Sequence, residues 1–132
     1  MSKPVAVRPD APLAEVERLL ERTGFNGVPV ADDETLLGFV TSLDLLAAFR
    51  FGSDATLPSY ASIMQRPVAS VMVRDPALVQ PRTPLMRVVE KILSTRNKSF
   101  PVVDPHGDRL VGIVAREDVM RALRGAEAER RE

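Results

Sequence analysis

The sequence predicts an α/β chain of the α+β kind, built from two intertwined β-α-β-β-α repeats packed with pseudo-two-fold symmetry. Three observations predict it. First, prolines recur at a constant spacing of 72 residues: Pro4 with Pro76, Pro9 with Pro81, Pro12 with Pro84 and Pro29 with Pro101. Second, the spacing then becomes 74, with Gly38 matching Gly112, Val40 matching Val114 and Asp44 matching Asp118. The two extra residues fall in the turn-forming stretch Asp104-Pro105-His106-Gly107-Asp108, where an insertion disturbs least. Third, both copies run through helical and strand hydrophobic periods in the same order. One copy alone holds too few apolar residues for a stable core, so each repeat needs the other.

The elements follow in order. A strand enters each copy, near Val5 in the first and Ala77 in the second. The first helix carries Leu13, Val16, Leu19 and Leu20 on one side; its counterpart carries Leu85, Val88, Val89, Ile92 and Leu93 at i, i+3, i+4, i+7 and i+8. Thr83 is a suitable N-cap and Pro84 suits the first helical position, whereas Ala11 is a poor cap. The runs Val28-Pro29-Val30 and Phe100-Pro101-Val102-Val103 are too short for helices and rich in branched residues, as are residues 36–40 and 110–114. They read as strands covered on both faces. Closing helices are expected over 42–50 and 116–124. The repeats thus occupy 1–50 and 68–124. The linker at 51–67 has one or two helical turns near Tyr60, and a charged tail at 125–132 is a frayed helix end or disorder.

Composition excludes several function classes. Among 132 residues, 18 basic side chains balance 18 acidic ones, which argues against a general nucleic-acid binder. There is no cysteine and a single histidine, His106, so disulfides, thiolate nucleophiles and multi-histidine metal sites are out. No Ser-His-Asp order, glycine-rich phosphate loop or paired-acid motif supports catalysis, and no metal site is expected. No apolar run approaches the roughly 20 residues of a membrane span, and the N-terminus does not read as a signal peptide. A soluble, cytoplasmic, non-catalytic chain is expected. An enzymatic role would require a catalytic domain elsewhere in a longer protein.

The sharpest local signal is Gly38-Phe39-Val40-Thr41-Ser42-Leu43-Asp44, a strand running into a helix start, with residues 112–118 as its counterpart. One reading is structural: Thr41 caps the helix and Asp44 completes a capping-box-like pair. Ala115 cannot cap, yet the acid recurs at Asp118. The other reading is functional. A helix N-terminus attracts phosphate, a nearby carboxylate can take both hydroxyls of a ribose, and strand ends can hold a purine.

Two copies of a helix, then Val-Pro-Val or Phe-Pro-Val-Val, then Leu-Leu-Gly-Phe-Val-Thr-x-x-Asp or Leu-Val-Gly-Ile-Val-x-x-x-Asp, resemble a tandem pair of cystathionine-β-synthase-type (CBS) domains. Residues 68–76 resemble the usual entry into such a domain. The resemblance implies a regulatory module with no required cofactor, binding AMP, ADP, ATP or S-adenosylmethionine in clefts between the two repeats. It implies ribose contacts at Asp44 and Asp118 and a phosphate-facing hydroxyl at Thr41. It also implies an adenine framed by residues near Val5, Asn26, Val28 and Pro29 in one copy. In the other copy the frame is near Ala77, Phe100 and Pro101, and Lys98 is a surface cation within reach of a polyphosphate. Ala115 departs from the expected Ser or Thr, which weakens phosphate binding at the second site unless Arg116 substitutes. Lys3-Pro4 aligns with Asp75-Pro76, so the first copy lacks a counterpart of residues 68–74. The expected partners are a small nucleotide, a second copy of the chain in a homodimer, and an effector protein or fused domain; membrane and nucleic acid are not expected. The alternative is a dimerisation or scaffold module that has lost its ligand.

Overall fold

The computed structural model describes residues 5–50, 59–106 and 108–130. Pro4, the first part of the expected linker (51–58), Gly107 and the last two residues of the tail lie outside these. The chain divides into two compact units, one spanning Val5–Pro76 and the other beginning at Ala77. Helix and strand are mixed in both, and each unit holds one antiparallel hairpin with helices packed on it.

In the N-terminal unit, α1 (Leu13–Thr23) buries Leu13, Val16 and Leu19 and stops at Gly24, whose φ of 76° is the left-handed conformation that favours glycine. Strands β1 (Gly27–Asp32) and β2 (Thr35–Thr41) pair antiparallel across a two-residue turn, with a bulge between Val30 and Ala31. Helix α2 (Ser42–Ala47) is shorter than the expected 42–50. Beyond Ala47 the chain tightens into i to i+3 hydrogen bonds, Phe49 N to Leu46 O and Arg50 N to Ala47 O. The helical turns expected near Tyr60 form α3 (Tyr60–Met64).

The C-terminal unit repeats the plan with α4 (Leu85–Thr95), β3 (Ser99–Val103), β4 (Leu110–Ala115) and α5 (Arg116–Arg130). Its hairpin has the same bulge, between Val102 and Val103, and the two additional residues sit in the turn. The entering strands reduce to one parallel bridge each, Val7 with Val30 and Val79 with Val102. Two expectations need correcting here. Thr83 is not the N-cap of α4: its Oγ1 accepts Gln80 N at 2.9 Å in a preceding turn, and Pro84 takes the cap position without a side-chain bond. The closing helix does not stop near Arg124: α5 continues through Arg130, the helical one of the two readings of the tail.

Proline inside a strand normally breaks a ladder. Here Pro29 sits opposite Phe39, whose own N–H and C=O turn the other way and bond Val73 O and N at 3.0 and 2.8 Å. The missing N–H of Pro29 is therefore not needed. Pro101 holds the same register opposite Ile113.

The bond to Val73 shows where residues 66–73 go. Leu13 N donates to Arg66 O at 3.0 Å, which supplies the partner that Ala11 and Pro12 cannot give α1. Val68 N and Ala69 N donate to Ala11 O and Pro9 O at 2.8 and 2.9 Å. Val68 is fully buried, and Val71 and Met72 pack on the same core as Val7, Leu13, Val16, Val30 and Val40. So the stretch that in sequence resembles the entry of the second repeat builds the wall of the N-terminal unit. Each such buried aliphatic contributes about 1.5–3 kcal/mol. The C-terminal unit has its own core around Val79, Val88, Phe100, Val102 and Val119. Among the described residues, no helix is long and apolar enough to cross a membrane.

Candidate functional site

The junction of β2 and α2 brings Thr41 and Asp44 together. Asp44 Oδ2 accepts both Thr41 N, at 2.8 Å, and Thr41 Oγ1, at 3.0 Å, while Thr41 Oγ1 accepts Asp44 N at 3.3 Å. This is a complete capping box, so the structural reading of these residues holds. It does not exhaust the carboxylate. Both bonds to the carboxylate fall on Oδ2, and Oδ1 makes no hydrogen bond to a described residue. The hydroxyl proton of Thr41, by contrast, is committed to Asp44. At six residues α2 has a weak dipole, so an anion gains little from its N-terminus alone.

The neighbours follow from the hairpin register. Gly27 pairs with Thr41, and Ser42 N donates to Asn26 O at 2.9 Å, which sets Asn26 beside the junction. Val28 and Pro29 are buried in β1, with the Pro29 carbonyl taken by Val7 N, so their side chains serve the core. Val5 is half-buried against that core. Asp44 also lines a shallow concavity of about 590 Å³ with Leu43, Leu46 and Arg50.

The C-terminal junction is built alike and tuned differently. Asp118 Oδ2 accepts Ala115 N at 2.8 Å, reproducing half of the box. Its other oxygen is taken by Arg121 Nη1 at 3.2 Å. Arg121 is a residue sequence reasoning passed over, although the i, i+3 spacing of acid and base on a helix is a recognised pairing signal. Arg116, the expected substitute for the missing hydroxyl, has its guanidinium turned to the α4 C-terminus, with Nη2 to Arg96 O at 2.6 Å and Nε to Asn97 O at 3.2 Å. Arg116 N donates to Lys98 O at 3.1 Å, so Lys98 stands at this junction as Asn26 does at the other. Phe100 and Pro101 are buried, and Ala77 is half-buried against the core. Among the described residues, no group of three or more His, Asp or Glu side chains could hold a metal ion.

Known proteins place this geometry. A family model for the CBS domain matches residues 1–50 and 68–125. The chain belongs to the CBS domain family. Two matched stretches in one chain make it a tandem CBS pair. Among curated relatives it is 29% identical to the chloroplastic CBS domain-containing protein CBSX1 of Arabidopsis thaliana, over 88% of this chain and 57% of that protein. It is 33% identical to inosine-5'-monophosphate dehydrogenase of Mycobacterium bovis, over 92% of this chain but 21% of the enzyme. The chain thus spans about half of the first relative and a fifth of the second. Among solved structures, AcuB from Vibrio cholerae superposes with a TM-score of 0.80 at 27% identity, covering 100% of this chain and 93% of that one. CBSX2 in complex with AMP superposes with a TM-score of 0.77 at 28% identity, covering 96% and 94%.

Proposed function

We propose that this CBS pair is a regulatory, non-catalytic module that senses adenosine-containing nucleotides, with AMP the first ligand to test. The observation that carries the reading is the Asp44 carboxylate. It is held rigidly by Thr41 through one oxygen and offers the other, which suits it to the paired hydroxyls of a ribose. The AMP complex of CBSX2, similar over nearly all of both chains, supports the ligand class. Asn26 and Thr41 flank the carboxylate, and half-buried Val5 contributes apolar surface for the base, with Val28 and Pro29 backing it from the core. The C-terminal set of Ala77, Lys98, Phe100, Pro101, Arg116 and Asp118 is the weaker site, because Arg121 already neutralises Asp118 and Ala115 brings no hydroxyl.

Binding would report to an effector protein or to further domains of a longer chain in the cytoplasm, by shifting a conformational equilibrium. Coupling of this kind is typically about 1–3 kcal/mol. The exposed apolar side chains Leu43 and Leu46 on α2 and Leu93 and Met120 on the C-terminal helices support a homodimer. Calorimetric titration with AMP, ADP, ATP and S-adenosylmethionine tests the sensor role. Saturable binding of at least one below millimolar concentration is expected. No binding by any of them contradicts it.

A purely associating module is the second reading, favoured by the capping box, which gives Thr41 and Asp44 a role without any ligand. It predicts a dimer in native mass spectrometry that is unchanged and unliganded with nucleotide present.

A further inference from the structure

The duplication supplies an internal control for surface charge. In the N-terminal unit, a groove beside the start of α1 is lined by Arg8, Asp10 and Glu15, among others. Its charges are paired locally, with a small acidic excess: Arg8 pairs with Asp10 and Asp32 at 3.3 Å each, and Glu15 pairs with Arg18 at 2.6 Å. The equivalent groove of the C-terminal unit, about 720 Å³ beside the start of α4, has exchanged both lining acids for arginines. At the 72-residue spacing, Asp10 becomes Arg82, Glu15 becomes Arg87 and Leu19 becomes Lys91. Glu90, where the first copy has Arg18, is the one acid on the lining.

Neither the Arg82 nor the Arg87 guanidinium makes a hydrogen bond or ion pair with another described residue, and both residues are exposed. Lys91 Nζ donates to Leu78 O, which fixes the ammonium at the groove and leaves two of its protons free. Thr83 Oγ1 accepts from Gln80 N, so its hydroxyl proton is available as a donor. Three cations and a hydroxyl converge on one concavity, where the sister unit has paired charges with an acidic excess.

We infer that the groove formed by Arg82, Thr83, Arg87 and Lys91 is an anion site that takes a phosphate-bearing ligand, separate from the residues of the nucleotide site. Planar guanidinium groups suit bidentate contact with phosphate oxygens. The uncapped start of α4, with Pro84 on the lining, adds a favourable field. The phosphate has two sources: a free inorganic polyphosphate or the tail of a nucleotide.

Calorimetry on the full chain at low salt with tripolyphosphate, ATP and AMP tests this. Tripolyphosphate should bind once per chain, weaken steeply with added salt, and lose at least tenfold in affinity in R82Q/R87Q. Arg22→Gln, which removes an exposed cation of α1 outside the groove, should leave it unchanged. If R82Q/R87Q also weakens ATP but not AMP, a nucleotide tail is the source; if it weakens tripolyphosphate alone, the free anion is. No tripolyphosphate binding, or equal losses in R82Q/R87Q and Arg22→Gln, would overturn the assignment. So would a single-stranded oligonucleotide that outcompetes tripolyphosphate at the groove.

Discussion

A single glycine shows how closely the N-terminal unit is built. A Cβ on Gly38 would stand 2.7 Å from the Val73 carbonyl and 2.9 Å from the Met72 sulfur, and the carbonyl belongs to backbone that bonds Phe39 and cannot yield cheaply. Gly38→Ala should therefore cost about 1–3 kcal/mol, read as a lower midpoint in urea unfolding with unchanged slope. The repeat makes the opposite prediction at another residue. Gly24 ends α1 with φ of 76°, and Arg96, its counterpart 72 residues on, ends α4 with φ of 62°. An arginine there bears a steric penalty that glycine avoids. Arg96→Gly should raise stability by up to about 1 kcal/mol, seen as a higher Tm; a lower Tm would mean that its side chain has packing to lose. Gly38 and Gly112 were visible as a matched pair in the sequence. The reason for Gly38 was not, because it depends on Val73, which lies 35 positions away.

At the scale of elements, local patterning revealed helices and strands well and revealed their ends poorly. The apolar stripes of α1 and α4 and the short branched runs of β1 and β3 are periodic signals, and all four elements form where they occur. The caps depend on distant partners. Leu13 N is satisfied by Arg66, and Thr83 bonds backward to Gln80 rather than forward to α4. Neither contact leaves a trace in local spacing. The junction of β2 and α2 was legible because the capping box is itself a spacing of three. Thr41→Val removes the hydroxyl and should cost about 1–2 kcal/mol in chemical denaturation. At the C-terminal junction Ala115 has no hydroxyl to lose, so that half of the contrast is built into the protein. What the spacing could not show is that Arg121 occupies the second oxygen of Asp118 and that Arg116 is turned away to the end of α4.

At the scale of the molecule, the duplication was the most legible feature, and it has consequences beyond the fold. Two similar units carry unequal details: differently bonded junctions at Asp44 and Asp118, and differently charged grooves, in the same chain. The sequence located the junctions that carry Asp44 and Asp118, because each lies at the end of a recognisable strand. By sequence, residues 68–73 go with the second repeat; that they pack on the N-terminal core was not legible, since their apolar side chains fit a core in either unit. Exposed Leu46 and Met120 occupy equivalent positions in the two repeats. If they seat a second copy, Leu46→Asp combined with Met120→Asp should convert a dimer to a monomer in light scattering without loss of helicity. A dimer that persists would place the interface elsewhere.

The central claim is that a carboxylate held by Thr41 receives the ribose of an adenosine nucleotide. The most direct measurement compares AMP affinity in Asp44→Asn and Asp118→Asn with the unaltered chain by calorimetry. Asparagine keeps an oxygen for the Thr41 bonds and removes the charged acceptor, so the fold is spared. Loss of a charge-assisted hydrogen bond is worth about 1.5–3 kcal/mol. Asp44→Asn should therefore weaken AMP by roughly 10- to 100-fold, by the same energy scale, while Asp118→Asn leaves the tighter binding event nearly unchanged. AMP affinity that is indifferent to Asp44→Asn, or the absence of AMP binding to the unaltered chain, would contradict it.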